Sequence, residues 1–94
     1  MNTYRLKLYI TGQTAYSDLA IANLKGLFDQ SQINYELSII DVLEYPDLAE
    51  KDKIMATPTL IKLSPLPVRR IIGDFSETER VIIGLGLYTA QGKL

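Results

Sequence analysis

The chemistry open to this 94-residue chain is narrow, because it contains no cysteine and no histidine. Without a thiol there is no dithiol exchange and no cysteine-rich zinc site. Without an imidazole there is no Ser-His-Asp or Cys-His nucleophile. Metal binding falls to carboxylates, and Asp41, Glu44, Asp47, Glu50 and Asp52 lie close together in the sequence. A metal site needs several of them on one face at coordinating distance; a solvated loop and helix face accounts for the same run. Nucleophilic or thiolate-holding chemistry falls to hydroxyls, of which Tyr9, Tyr16 and Ser17 surround the segment Thr11-Gly12-Gln13-Thr14. The plainer reading of that segment is a turn followed by a helix N-cap. Four cations, Lys53, Lys62, Arg69 and Arg70, could form a basic patch that meets an acidic protein surface. Charges on an edge hairpin also oppose aggregation, which is the bland account of the same residues. Six tyrosines with no tryptophan suit a contact surface as well as ordinary strands.

Ten Lys and Arg stand against eleven Asp and Glu, for a net charge of −1. That balance lacks the basic footprint of a nucleic-acid binder and of a polybasic membrane anchor. The opening Met1-Asn2-Thr3-Tyr4-Arg5-Leu6-Lys7 places charges inside the first apolar segment, unlike a signal peptide. No apolar run approaches the roughly 20 residues that span a bilayer. The expected location is the cytoplasm, with no cofactor. A hydrophobic share of 47% supports one globular domain over residues 1–94. A chain of this size buries only about 60–70% of its unfolded surface, so self-association into a dimer or tetramer would help it.

These side chains need a scaffold, and the periodicities supply one. Tyr4, Leu6, Leu8 and Ile10 alternate with Arg5, Lys7 and Tyr9, which predicts a strand. From Ser17, read as an N-cap, to about Gln30, a stripe of Ala20, Ile21, Leu24, Leu27 and Phe28 predicts a helix. Gly26 in that helix suggests a close packing contact. Residues 35–42 read as a second strand. Pro46 opens a short helix ending by about Met55. Strands follow at 56–63 and 68–72, joined by the stiff turn Ser64-Pro65-Leu66-Pro67. Ser76-Glu77-Thr78-Glu79 matches a capping box for a last helix running to about Tyr88.

The order βαβαββα gives an α/β domain. Its opening strands are parallel through a right-handed crossover, and its closing hairpin is antiparallel. This is the thioredoxin-like arrangement, and Thr57-Pro58 falls where that fold keeps a cis-proline. The hydroxyl loop after the first strand falls where such enzymes keep their nucleophile. One segment conflicts with itself. Val81-Ile82-Ile83 favours a strand and Gly84 and Gly86 weaken a helix, although the capping box announces one. Alanine at either glycine is expected to favour the helix, provided neither has a positive φ.

Longer motifs are more specific. Tyr4-Arg5-Leu6-Lys7-Leu8-Tyr9-Ile10-Thr11-Gly12 resembles the opening strand of the KaiB family. Ile40-Asp41-Val42-Leu43 with Pro46-x-Leu48-Ala49-Glu50 resembles its middle. Asp52 to Leu60, Pro65-x-Pro67-Val68-Arg69-Arg70-Ile71-Ile72-Gly73-Asp74 and Val81 to Leu85 complete a likeness over about residues 3 to 88. The resemblance implies a non-enzymatic regulator that binds a KaiC-type ATPase ring and modulates its phosphorylation cycle, in circadian timing or stress adaptation. KaiA or a histidine kinase would be further partners. It also implies a metamorphic chain, with a thioredoxin-like monomer and an alternative fold of the C-terminal half that assembles as a homotetramer. Lys53, Lys62, Arg69 and Arg70 match family positions that contact the partner or support assembly. Leu19 stands where a basic residue is usual, and Gly86 where an aspartate is usual.

Two classes of function are therefore set against each other. One is the protein-binding regulator. The other is a glutathione-dependent enzyme using a hydroxyl of the first loop. The missing cysteine, histidine and helical second domain favour the regulator.

Overall fold

The computed structural model describes residues 3–89 and 92–93. Strand β1 (Tyr4–Ile10) leads into helix α1 (Ala15–Gln30), then β2 (Tyr35–Asp41), α2 (Pro46–Lys51), β3 (Thr59–Ser64), β4 (Arg69–Ile72) and α3 (Thr78–Leu85). A two-residue ribbon, β5 (Tyr88–Thr89) with β6 (Gly92–Lys93), follows and was not foreseen. The main sheet has the order β2-β1-β3-β4. Strands β1 and β2 run parallel, as a helical crossover requires; β1–β3 and β3–β4 are antiparallel. No helix among the described residues is long and apolar enough to cross a membrane.

The alternation in β1 divides the sheet into two unlike faces. Tyr4, Leu6, Leu8 and Ile10 enter one core with Leu60 of β3, with Ala20, Leu24, Leu27 and Phe28 of α1, and with Val81, Ile82 and Leu85 of α3. Phe28 meets the rings of Tyr4 and Tyr35 edge-on, at centroid distances of 6.1 and 5.1 Å. The opposite face carries Arg5, Lys7 and Tyr9, and there α2 lies over Tyr9.

Helix α1 starts earlier than its apolar stripe suggests. Thr14, not Ser17, is the N-cap: its Oγ1 accepts the Ser17 amide at 3.1 Å, and Ser17 Oγ accepts the Thr14 amide at 3.4 Å. Gly26 makes no close approach; a Cβ there would meet nothing within 4 Å. Helix α3 starts later than its motif suggests. Phe75 takes φ +63 to bury its ring, and Asp74 Oδ1 accepts the Ser76 amide at 3.0 Å. Ser76 is thereby drawn into a turn and the capping box does not form; Glu77 is the N-cap without a side-chain bond.

All three helices stop in the same way. A residue in the left-handed region, Gln32, Lys53 or Gly86, follows each one. Its amide and the next one close back onto the last turn: Gln32 to Asp29 and Ile33 to Phe28, Lys53 to Glu50 and Ile54 to Ala49, Gly86 to Ile83 and Leu87 to Ile82. This pair of bonds satisfies two carbonyls that a helix end otherwise leaves open. Helix α3 therefore ends at Leu85, short of Tyr88.

Candidate partner-binding site

The four cations singled out in the sequence do not form one patch. In a strand, successive side chains point to opposite faces. Lys62 stands opposite Leu6 and Arg69, on the core face. Its side chain is 2% exposed, and its Nζ lies 5.8 Å from the centroid of the Tyr4 ring. That is within range of a cation–π contact. Neither ion pair among the described residues involves it. Burial, and then the like charge of Arg69, pull its pKa below the ordinary lysine value. Lys62 is thus buried on the core face in this arrangement, not part of one exposed patch with Lys53 and Arg70. Arg69 is exposed at the rim of the core face.

Arg70 points the other way, beside α2. Its guanidinium donates to the main-chain oxygens of Asp52 and Lys53. Lys53 is exposed and holds the left-handed position that ends α2, with φ +55. Lys53 and Arg70 therefore share one side of the sheet, and Lys62 and Arg69 the other.

A polar cluster missed by the sequence reading lies beneath Arg70. Tyr9 is fully buried, and its hydroxyl donates to Asp52 Oδ2 at 2.5 Å, with the Leu48 carbonyl at 3.2 Å. Lys7 Nζ donates to the same carboxylate oxygen at 3.1 Å. Burial and the Asp52 carboxylate push the Tyr9 hydroxyl up to about 12. The Tyr9 hydrogen bond, followed by Lys7, holds Asp52 below the usual carboxylate range despite partial burial. One signal for this cluster was present: Lys7 and Tyr9 share the polar phase of β1, and a tyrosine there has an apolar body to cover.

Two of the three hydroxyls proposed for catalysis, those of Ser17 and Tyr9, are engaged elsewhere. Ser17 Oγ donates to the Gly12 carbonyl at 2.9 Å and lies 2.8 Å from Thr14 Oγ1, as part of the helix cap. A phenol driven to higher pKa, as Tyr9 is, is a poorer nucleophile at neutral pH. Tyr16 is exposed with no hydrogen bond among the described residues. The carboxylates also disperse. Asp41 Oδ1 accepts the amides of Gly12 (3.0 Å) and Leu43 (2.9 Å), and Asp52 serves the cluster above. Among the described residues, no group of three acidic side chains is placed to hold a metal.

The Thr57–Pro58 peptide is cis, as are Ser64–Pro65 and Leu66–Pro67. Pro58 is buried at the head of β3, and Thr57 Oγ1 lies 2.7 Å from Thr11 Oγ1. Gly84 in α3 and Gly86 at its C-terminal cap each have a reason. A Cβ on Gly84 would come within 2.6 Å of Ile71 Cδ1 on β4, and Gly86 has φ +65. The expectation that alanine strengthens the helix carried the condition of a negative φ, which Gly86 does not meet; at Gly84 it would require Ile71 to shift.

Comparison with known proteins assigns the chain. The KaiB domain matches over residues 7–87. The circadian clock oscillator protein KaiB of Synechococcus elongatus is 57% identical over 86 residues, covering 90% of this chain and 84% of that protein. The protein of the same name from a Nostoc species is also 57% identical, covering 90% and 80%. Among solved structures, the N-terminal domain of SasA from Synechococcus elongatus has a TM-score of 0.69 at 18% identity, covering 88% of this chain and 86% of that one. Mitochondrial thioredoxin 3 from Saccharomyces cerevisiae likewise has a TM-score of 0.69 at 18% identity, covering 92% and 79%. These two likenesses establish the thioredoxin-like fold. The matched domain and the level of identity together establish that the chain belongs to the KaiB family.

Proposed function

We propose that this chain is a non-enzymatic clock-type regulator that binds a KaiC-type ATPase ring and modulates its phosphorylation or ATPase cycle. The observation that carries this reading is 57% identity to circadian clock oscillator proteins over nine-tenths of the chain. Two engaged hydroxyls support it against the glutathione-dependent alternative, since neither Ser17 nor Tyr9 is free to hold a thiolate and only Tyr16 of the three candidates is left for that role. Within the reading, Lys53 and Arg70 are the partner-facing cations of the α2 side. Arg69 contributes from the rim, and Lys62 contributes packing. KaiA or a histidine kinase as a further partner, a homodimer or homotetramer, and an alternative fold of the C-terminal half belong to the same proposal. Two features support the last of these: α2 buries no residue, and α3 carries three consecutive β-branched residues, Val81-Ile82-Ile83. Co-purification with the host's KaiC-type ATPase, with and without ATP, tests the core of the reading. Nucleotide-dependent retention is expected; no retention in either state would refute it.

A further inference from the structure

Helix α2 lies over the fully buried Tyr9 and is tied to the sheet by several polar contacts. None of its six residues is buried, and an isolated helix of this length has almost no stability in water. Its docking therefore rests on ties to other elements, and these converge on its C-terminal end. The Asp52 carboxylate accepts the Tyr9 hydroxyl and the Lys7 ammonium, both from β1. The Tyr9 hydroxyl also reaches the Leu48 carbonyl inside the helix. From β4, Arg70 donates to the main-chain oxygens of Asp52 and Lys53. Two strands thus hold one helix end. A carboxylate at a helix C-terminus faces the negative end of the helix dipole. Asp52 is therefore unfavourable for the helix itself, and its carboxylate is held there by the Lys7 ammonium and the Tyr9 hydroxyl.

We propose that Asp52, with Tyr9, Lys7 and Arg70, forms a polar latch that keeps α2 docked, and that opening it frees α2 while the sheet with α1 and α3 stays folded. The core on the other face does not include α2, so undocking leaves that core intact, at the cost of uncovering the α2 face, where Tyr9 is fully buried. The Tyr9 ring would gain access to water, and the exposed Lys53 would lose its fixed place beside Arg70. The charged and titratable groups around the carboxylate are Lys7 and Tyr9 from β1 and Arg70 from β4. Protonating Asp52 removes the acceptor charge, so the latch weakens as pH falls below the ordinary carboxylate range.

Amide hydrogen exchange on the full chain tests the latch. Losing a hydrogen bond to a charged group should speed exchange by about tenfold or more. In Tyr9→Phe and Asp52→Ala this acceleration is expected at Asp52, Lys53 and Ile54, whose amides close the helix end, with β1, α1 and β3 unchanged. Lys7→Gln, a milder change at a partly exposed side chain, should produce the same pattern more weakly and guards against a variant that fails to fold. Acidifying the wild-type chain should loosen the same amides first, and Asp52→Asn should remove that pH step. Uniform acceleration across all elements, or no change at the α2 end in all three variants, would overturn the latch.

Discussion

The two faces of the sheet are held by different physics. On the α1/α3 face, buried side chains from β1, α1, β3 and α3 exclude water, and Leu8, Leu24, Phe28, Leu60 and Leu85 are fully buried. On the α2 face, a helix with no buried residue is tied down through Tyr9, Lys7, Asp52 and Arg70. Apolar packing is non-directional and adds up over area; a polar tie depends on one geometry and one protonation state. The first kind of face sets the stability of the domain. The second depends on a few polar ties beside the buried Tyr9, on the side that carries Lys53 and Arg70.

The comparison breaks most visibly in the core. Leu24→Ala should lower unfolding stability by about 2–5 kcal/mol, as large-to-small core changes do, measured by chemical denaturation. A loss below about 1 kcal/mol would mean that the α1 face is not the tight core described.

Next in size come Gly84 in α3 and Gly86 at its C-terminal cap. Gly84→Ala combines a helix-propensity gain of about 1 kcal/mol with an overpacking cost of about 1–3 kcal/mol against Ile71. A net loss of about 1 kcal/mol is expected, and Ile71→Val, which removes the colliding methyl, should recover it. Gly86→Ala should cost about 1–2 kcal/mol through its left-handed backbone, with no rescue by Ile71→Val. Thermal melts of the single and double variants decide both.

The remaining effects are alkaline and carry opposite signs on the two faces. Lys62 has a depressed pKa, so its burial penalty is present at neutral pH and fades as pH rises toward 10.5. Tyr9 is raised from 10.0 to about 12, so its contribution is intact below pH 10 and is lost as pH climbs through that interval. Relative to wild type, Lys62→Met should gain stability at neutral pH and lose that advantage near pH 10.5. Tyr9→Phe should be destabilised at neutral pH and approach wild type near pH 12. Denaturation midpoints across this range would show whether the signs oppose.

Much of this architecture could be read from residue order. The β1 alternation placed four core residues correctly, and the α1 stripe named Ala20, Leu24, Leu27 and Phe28. The split of the cations was also latent, since Arg69 and Arg70 are adjacent and a strand sends neighbours to opposite faces. Reading them as one patch ignored that period. The burial of Lys62 was less accessible, because it depends on Tyr4, 58 positions away in sequence, lying over its ammonium. Tyr9 and Asp52 meet only through the fold, and no local pattern joins them. The capping box at Ser76 failed because burying Phe75 turned the chain before the helix could begin. The left-handed turn at Gly86 is a backbone angle, and residue type alone permits it without requiring it.

The central claim is that the partner meets the α2 side and not the core face. Affinity for the KaiC-type ATPase ring, measured in parallel for Lys53→Glu and Lys62→Met at matched fractions of folded protein, tests it most directly. Reversing Lys53 should weaken binding by about tenfold or more, as loss of a desolvated interfacial charge does, while Lys62→Met should leave affinity unchanged. Full affinity in Lys53→Glu together with lost affinity in Lys62→Met would contradict the account.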